Sequence, residues 1–143
     1  MTESYIARAE TDVSATPSEV WEALTDPEKV AQYFFGSRVE TDWRPGSPIF
    51  WKGEYNGKAF EDKGEILEVQ QNRLLKVSHF SPLSGQPDKP ENYHTLTYEL
   101  DERSGGTHVS LSQDNNGSEA EAQRSTANWE AMLAGLKKIV ERG

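Results

Sequence analysis

The feature that most constrains this chain is the stretch from Ser37 to Asn115, in which apolar residues tend to alternate with polar ones. Such alternation is typical of β-strands that bury one face. Turn-forming pairs separate most of the apolar runs, notably Asn56-Gly57 and Gly105-Gly106. Because short connections join antiparallel neighbours, the pattern predicts an antiparallel sheet. The six strand candidates are 38–43, 48–55, 59–70, 73–80, 93–100 and 107–114.

One long helix is predicted after these strands, over residues 118–143. Its apolar residues recur at steps of three and four, so they share one face, and Ser118 with Glu121 forms a capping-box start. That face is bulky from Trp129 to Val140 but small before it. The small residues are Ala122, Ser125 and Thr126. We expect a cavity beside these small residues, unless the first turns are exposed and frayed.

The N-terminal part supplies a first strand and two short helices. Residues 5–13 alternate weakly, and Thr16-Pro17 with Glu19 is a second capping-box start. Asp26-Pro27 repeats the start chemistry, so another short helix should run to about Phe34. We therefore predict one α+β domain over residues 1–143, in which a seven-stranded curved antiparallel sheet wraps around the long C-terminal helix.

Composition excludes several classes of partner. The net charge of −9 argues against nucleic acid and against anionic membrane surfaces. The absence of cysteine excludes disulfides and thiolate chemistry, and no apolar window is long enough to insert into a membrane. We expect a soluble, cytoplasmic protein.

The order of these motifs resembles the helix-grip fold of the START-like (SRPBCC, Bet v-like) superfamily. More closely, the chain is similar to the small bacterial domains of the activator of heat-shock-protein-90 ATPase homologue family. The matching motifs are Thr16-Pro17-Ser18-Glu19-Val20-Trp21-Glu22-Ala23-Leu24-Thr25-Asp26-Pro27-Glu28, Tyr33-Phe34, Gly46, Gly64-Glu65-Ile66-Leu67-Glu68-Val69, Arg73-Leu74, Gly106-Thr107, Val109, Leu111, Asn128-Trp129, Leu133 and Leu136.

The resemblance implies a fold more firmly than a function. The superfamily includes lipid carriers, polyketide cyclases, hormone receptors and ring-hydroxylase subunits. We expect no counterpart of the extra N-terminal domain of the eukaryotic chaperone activator, and therefore no chaperone activation.

Few residues indicate catalysis or metal binding. By alternation, His94 and His79 should point inward and His108 outward, and none of the three forms a close metal-binding pair. Asp62 or Glu65 would be a buried acid if it faced inward, but a bulge at Gly64 would reverse that phase. No phosphate loop and no serine-nucleophile motif is present. We therefore predict no catalytic residue, no metal and no cofactor.

The aromatic residues favour a small-molecule site. Phe50 and Trp51 are consecutive, so one should face inward and the other outward, towards a partner or a second copy. We predict that a hydrophobic or aromatic molecule binds between sheet and long helix. The alternatives are a cyclase- or hydrolase-type enzyme using the same pocket, and a co-chaperone-like interaction module with a chaperone or homodimer contact. The predicted ligand-binding residues are Trp51, Phe60, His94, Tyr98, Gln113, Ser125, Trp129 and Met132.

Overall fold

A computed structural model describes residues 5–33, 37–55, 57–81 and 87–142. The strands form one sheet in the order β1-β7-β6-β5-β4-β3-β2, and every neighbouring pair is antiparallel. The predicted seven-stranded helix-grip architecture is therefore confirmed. The elements are β1 Tyr5–Val13, α1 Pro17–Thr25, α2 Pro27–Tyr33, β2 Arg38–Glu40, β3 Pro48–Tyr55, β4 Lys58–Gln70, β5 Leu74–His79, β6 His94–Arg103, β7 Gly106–Asn116 and α3 Glu119–Arg142.

A side-chain cap begins α1, and a tyrosine hydrogen bond joins α2 to it. The Thr16 hydroxyl accepts a 3.2 Å hydrogen bond from the Glu19 amide, and the Glu19 carboxylate accepts one from the Thr16 amide. The buried Tyr33 hydroxyl donates a 2.8 Å bond to the Ala23 carbonyl. This bond joins α2 to α1, so the two helices support the sheet as one unit.

The strand predicted over 38–43 ends early, at Glu40. The Thr41 hydroxyl accepts a bond from the Trp43 amide, and the Asp42 carboxylate accepts one from the Arg44 amide. These local bonds compete with strand pairing, and Trp43 adopts a positive φ of 60°. Phe34 and Asn56, which the sequence predicted in a helix end and a turn, lie outside the described residues, as do residues 82–86 of the proline-rich loop.

The long helix α3 lies on the inner face of the sheet and packs against β1, β7, α1 and α2. The Ser118 hydroxyl caps it by accepting a 3.1 Å bond from the Glu121 amide. Its first turns are helical and Ala122 is buried, so the start of the helix is not frayed. Among the described residues, no helix is long and apolar enough to cross a membrane.

Candidate ligand-binding site

The phase of β4 places an acidic side chain on the inner face of the sheet. Asp62 lies opposite Trp51 in the β3–β4 register, and Trp51 is buried in the core, so both side chains point inward. Glu65 is exposed. The expected irregularity is not at Gly64 but between Ile66 and Glu68, where the β4–β5 register shifts.

Gly64 allows β4 and β5 to approach closely. A Cβ atom at Gly64 would lie 1.8 Å from the Ser78 carbonyl oxygen, so no side chain fits there. Leu75, Val77 and His79 are all buried on the inner face, as alternation predicted for His79. The close approach therefore lets an inward residue of β4 reach the last residue of β5.

Asp62 and His79 form a buried polar pair. His79 Nε2 lies 2.9 Å from Asp62 Oδ2, and the two side chains are only 11% and 13% exposed. Within the described part of the chain, His79 Nδ1 and Asp62 Oδ1 are buried without a hydrogen-bond partner. Because such groups lose water on burial without a replacement, they are rare in folded proteins and usually have a specific role.

Aromatic rings surround the pair. The Trp51 ring lies edge-on to His79 at 5.0 Å between centroids, and the His94 ring lies 6.4 Å from it. His94 Nδ1 is 2.8 Å from the Asp114 carbonyl oxygen, which only accepts, so this nitrogen carries the proton. The other ring nitrogen of the half-buried His94, Nε2, therefore takes no part in that bond.

A small cavity lies beside this group of rings. Its volume is about 20 Å³, which is enough for roughly one water molecule. Burial raises the pKa of Tyr98 in its wall, which keeps the phenol protonated. The lining includes no residue of α3, so this cavity is not beside Ala122 and Ser125, where the sequence predicted one. It is lined by Leu24, Val30, Tyr33, Val39, Trp43, Ile49, Trp51, Leu75, Val77 and Tyr98.

The remaining predicted ligand-binding residues are either buried in the core or in contact with other side chains. Trp129 and Gln113 are buried together and share a 3.1 Å hydrogen bond between the indole Nε1 and the amide oxygen. Met132 is fully buried in the core. The Ser125 hydroxyl donates to the Asn116 side chain at 3.1 Å, and Phe60 covers Gly53 on the neighbouring strand. Thus Trp51, His94 and Tyr98 lie next to the polar pair or the cavity, whereas Phe60 and Ser125 make other contacts.

The outer face of the sheet carries an open groove of about 700 Å³. Phe50 lines it while Trp51 faces inward, which confirms the predicted division of this pair. The Lys63 ammonium, more than the Tyr93 hydroxyl, lowers the pKa of Asp88 at its rim. These polar groups already satisfy one another, unlike those on the inner face.

The predicted ligand-binding residues do not include Asp62 or His79. His79 has the same parity as Leu75 and Val77, and Asp62 has the same parity as Ile66. The parity of each residue along its strand is the only signal in the sequence, and it does not show that the two side chains meet. Among the described residues, no three His, Asp or Glu side chains are grouped to hold a metal ion.

A seven-stranded antiparallel sheet that packs around one long C-terminal helix defines a START-like helix-grip domain. The model of the family described as "Activator of Hsp90 ATPase homolog 1-like protein" matches residues 14–141. The chain therefore belongs to this family. A search of curated proteins finds no match.

Solved structures agree with this assignment. The solution structure of ChR145 from Cytophaga hutchinsonii is 49% identical, with a TM-score of 0.86 over 99% of this chain and 97% of that one. The Aha1 dimer from Colwellia psychrerythraea is 17% identical, with a TM-score of 0.73 over 96% of each chain. DynU16, from the dynemicin biosynthetic locus, is 21% identical, with a TM-score of 0.78 over 95% of this chain and 47% of that one. The latter two similarities show the fold alone.

Proposed function

We propose that this protein binds a small, largely apolar molecule on the inner face of the sheet, with one polar group of that molecule contacting the Asp62–His79 pair. The observation that carries the proposal is the pair of buried polar atoms, His79 Nδ1 and Asp62 Oδ1, that lack partners among the described residues. A ligand hydroxyl would satisfy such an atom, while the surrounding apolar side chains would hold the rest of the molecule.

The ligand-binding residues follow from this arrangement. Trp51 and Tyr98 would form the flat apolar wall, and His94 would lie beside the polar group. Trp129 and Met132 of α3, together with the Gln113 amide on β7, would close the interior. Phe60 and Ser125 would enter the site only if a larger ligand extended towards them.

Binding requires the interior to expand. The cavity of about 20 Å³ holds one water, whereas small-molecule sites commonly measure about 300–1,000 Å³. The side chains that line it belong to α1, α2, the inner sheet face and, at Trp43, the β2–β3 connection, so a ligand must separate these layers. We expect widespread chemical-shift changes on these elements when a ligand enters.

The test compares two nearly isosteric probes, 1-naphthol and naphthalene, by NMR titration of the protein. We expect saturable shifts with both, and tighter binding of 1-naphthol because its hydroxyl contacts the polar pair. His79→Gln should remove this preference while naphthalene still binds. His108→Gln is the matched control, since His108 pairs with carboxylates on the outer face. No saturable shift with either probe would contradict the proposed function.

A contact between two copies is a second part of this proposal. Tyr5 and Ile6 are 42% and 45% exposed on β1, which is an edge strand of the sheet. Exposed apolar residues on a free edge favour strand-to-strand association. The similar fold of the Colwellia Aha1 dimer supports the same idea, and light scattering would measure the mass in solution. Support for a chaperone contact comes from family membership alone.

A further inference from the structure

The Asp62–His79 pair also supports an activity, and this inference rests on the proposed ligand site. We propose that His79 Nδ1 is a general base that removes a weakly acidic C–H proton from the bound molecule, with Asp62 as the positioning residue for the imidazole. The domain would then be an isomerase-type enzyme for neutral carbon acids as well as a binding protein.

The hydrogen bond fixes the tautomer that a neutral His79 adopts beside an ionised Asp62. An ionised carboxylate only accepts, so Asp62 Oδ2 at 2.9 Å places a proton on His79 Nε2. In the neutral imidazole, Nδ1 then carries the lone pair, and this is the nitrogen without a partner. Carboxylate, imidazole and free nitrogen thus follow the same order as in a Ser-His-Asp triad, in which the carboxylate orients the ring and stabilises the imidazolium.

The surroundings select the class of substrate. Trp51 lies edge-on to the imidazole, and Leu75 and Val77 precede it on the same buried face. An apolar environment disfavours a charged ligand before reaction but strengthens the attraction between a new imidazolium and the Asp62 carboxylate. A flat, neutral molecule with a C–H group next to a carbonyl fits both conditions.

The proposed step is balanced without a further reactant. The proton moves from the ligand carbon to His79 Nδ1, and the electron pair of the broken C–H bond remains on the ligand as an enolate. The imidazolium then returns the proton to a different ligand atom, which isomerises the ligand and restores the pair. Because both free atoms are buried, the inner-face side chains must separate before the ligand reaches them.

The test uses 5-nitrobenzisoxazole, a flat neutral carbon acid that needs only a base. When its C–H proton moves to the base, the N–O bond breaks and the electron pair goes to oxygen, giving a coloured cyanophenolate. We expect saturation kinetics. The value of kcat/KM should be about 10²-fold or more above the second-order rate constant of free imidazole at the same pH. His79→Gln should remove this acceleration, whereas the outer-face control His108→Gln should retain it.

Asp62→Asn separates positioning from a structural role. We expect kcat to fall about ten-fold or more at nearly constant KM, because the amide no longer fixes the Nε2–H tautomer or stabilises the imidazolium. Long-range ¹H–¹⁵N correlation spectra of His79 should show the Nε2–H tautomer in the unsubstituted protein and its loss in this variant. A merely structural role would not change the tautomer.

Binding of naphthalene distinguishes the two proposals. If naphthalene binds but no acceleration occurs, or if His79→Gln retains the full rate, the proton-transfer inference is overturned and the binding function stands. If neither naphthalene nor 5-nitrobenzisoxazole binds, both proposals fail. If His79→Gln binds naphthalene normally but has lost the rate, the proton-transfer inference is supported, since retained binding shows that the variant is folded.

Discussion

The Trp129 indole on α3 donates a 3.1 Å hydrogen bond to the Gln113 side-chain oxygen on β7. Both residues are buried, at 6% exposure each. The bond links the long helix to the inner face of the sheet by polar contact as well as by apolar packing. It therefore helps to fix how the helix is rotated on the β7 side of the sheet.

Removing this donor should destabilise the domain. Trp129→Phe keeps an aromatic ring but leaves the buried Gln113 oxygen without that bond, so we expect a loss of about 1–3 kcal/mol in the free energy of unfolding. Urea unfolding measures it. Gln123→Ala on the exposed side of α3 is the control and should change the free energy by less than about 0.5 kcal/mol. Equal stability of Trp129→Phe and the unsubstituted protein would show that the bond does not contribute.

A side chain at Gly64 should be far more damaging than one at Gly53. A Cβ at Gly64 meets backbone, the Ser78 carbonyl oxygen at 1.8 Å, whereas one at Gly53 meets the Phe60 ring at 2.8 Å, and that ring can rotate away. We expect Gly64→Ala to cost about 3 kcal/mol or more, and Gly53→Ala less than about 1.5 kcal/mol. Urea midpoints of the two variants test this, and similar losses would contradict the close approach of β4 and β5.

The pKa of His108, on the outer face of the sheet, should lie above the ordinary histidine value. Hydrogen bonds from His108 to Glu10, and then to Asp12, raise its pKa above 6.5. Since the folded pKa is the higher one, this pairing stabilises the fold fully below pH 6.5 and the contribution is lost as pH rises through the folded pKa. Glu10→Gln should move the pKa of His108 down towards 6.5, as followed by NMR titration of its ring protons.

A control variant tests whether the change in the His108 pKa is specific to Glu10. Glu54→Gln changes an exposed carboxylate on β3, at the other side of the sheet from β1, and should leave the His108 midpoint where it was. A midpoint that does not respond to Glu10→Gln, or that responds equally to Glu54→Gln, would mean that the two bonds do not govern this histidine.

Local chemistry determined most of the elements of this protein. Alternation marked the strands, and β1 and β3 have the predicted limits because their pattern and flanking turns agree. The capping residues Thr16 and Ser118 marked two helix starts, because a cap bonds only within the first turn of its own helix. The strand after α2 was predicted too long because bonds within Thr41–Arg44 replace strand pairing there.

The tertiary structure alone decided which inward residues meet. Asp62 and His79 are 17 residues apart, on strands whose register shifts between Ile66 and Glu68, and their contact depends on the close approach at Gly64. Alternation specifies a side of the sheet but not the register between strands, because register is set by pairing along the whole sheet. The small cavity under α1 and α2 has the same origin, since its size depends on how three layers pack together.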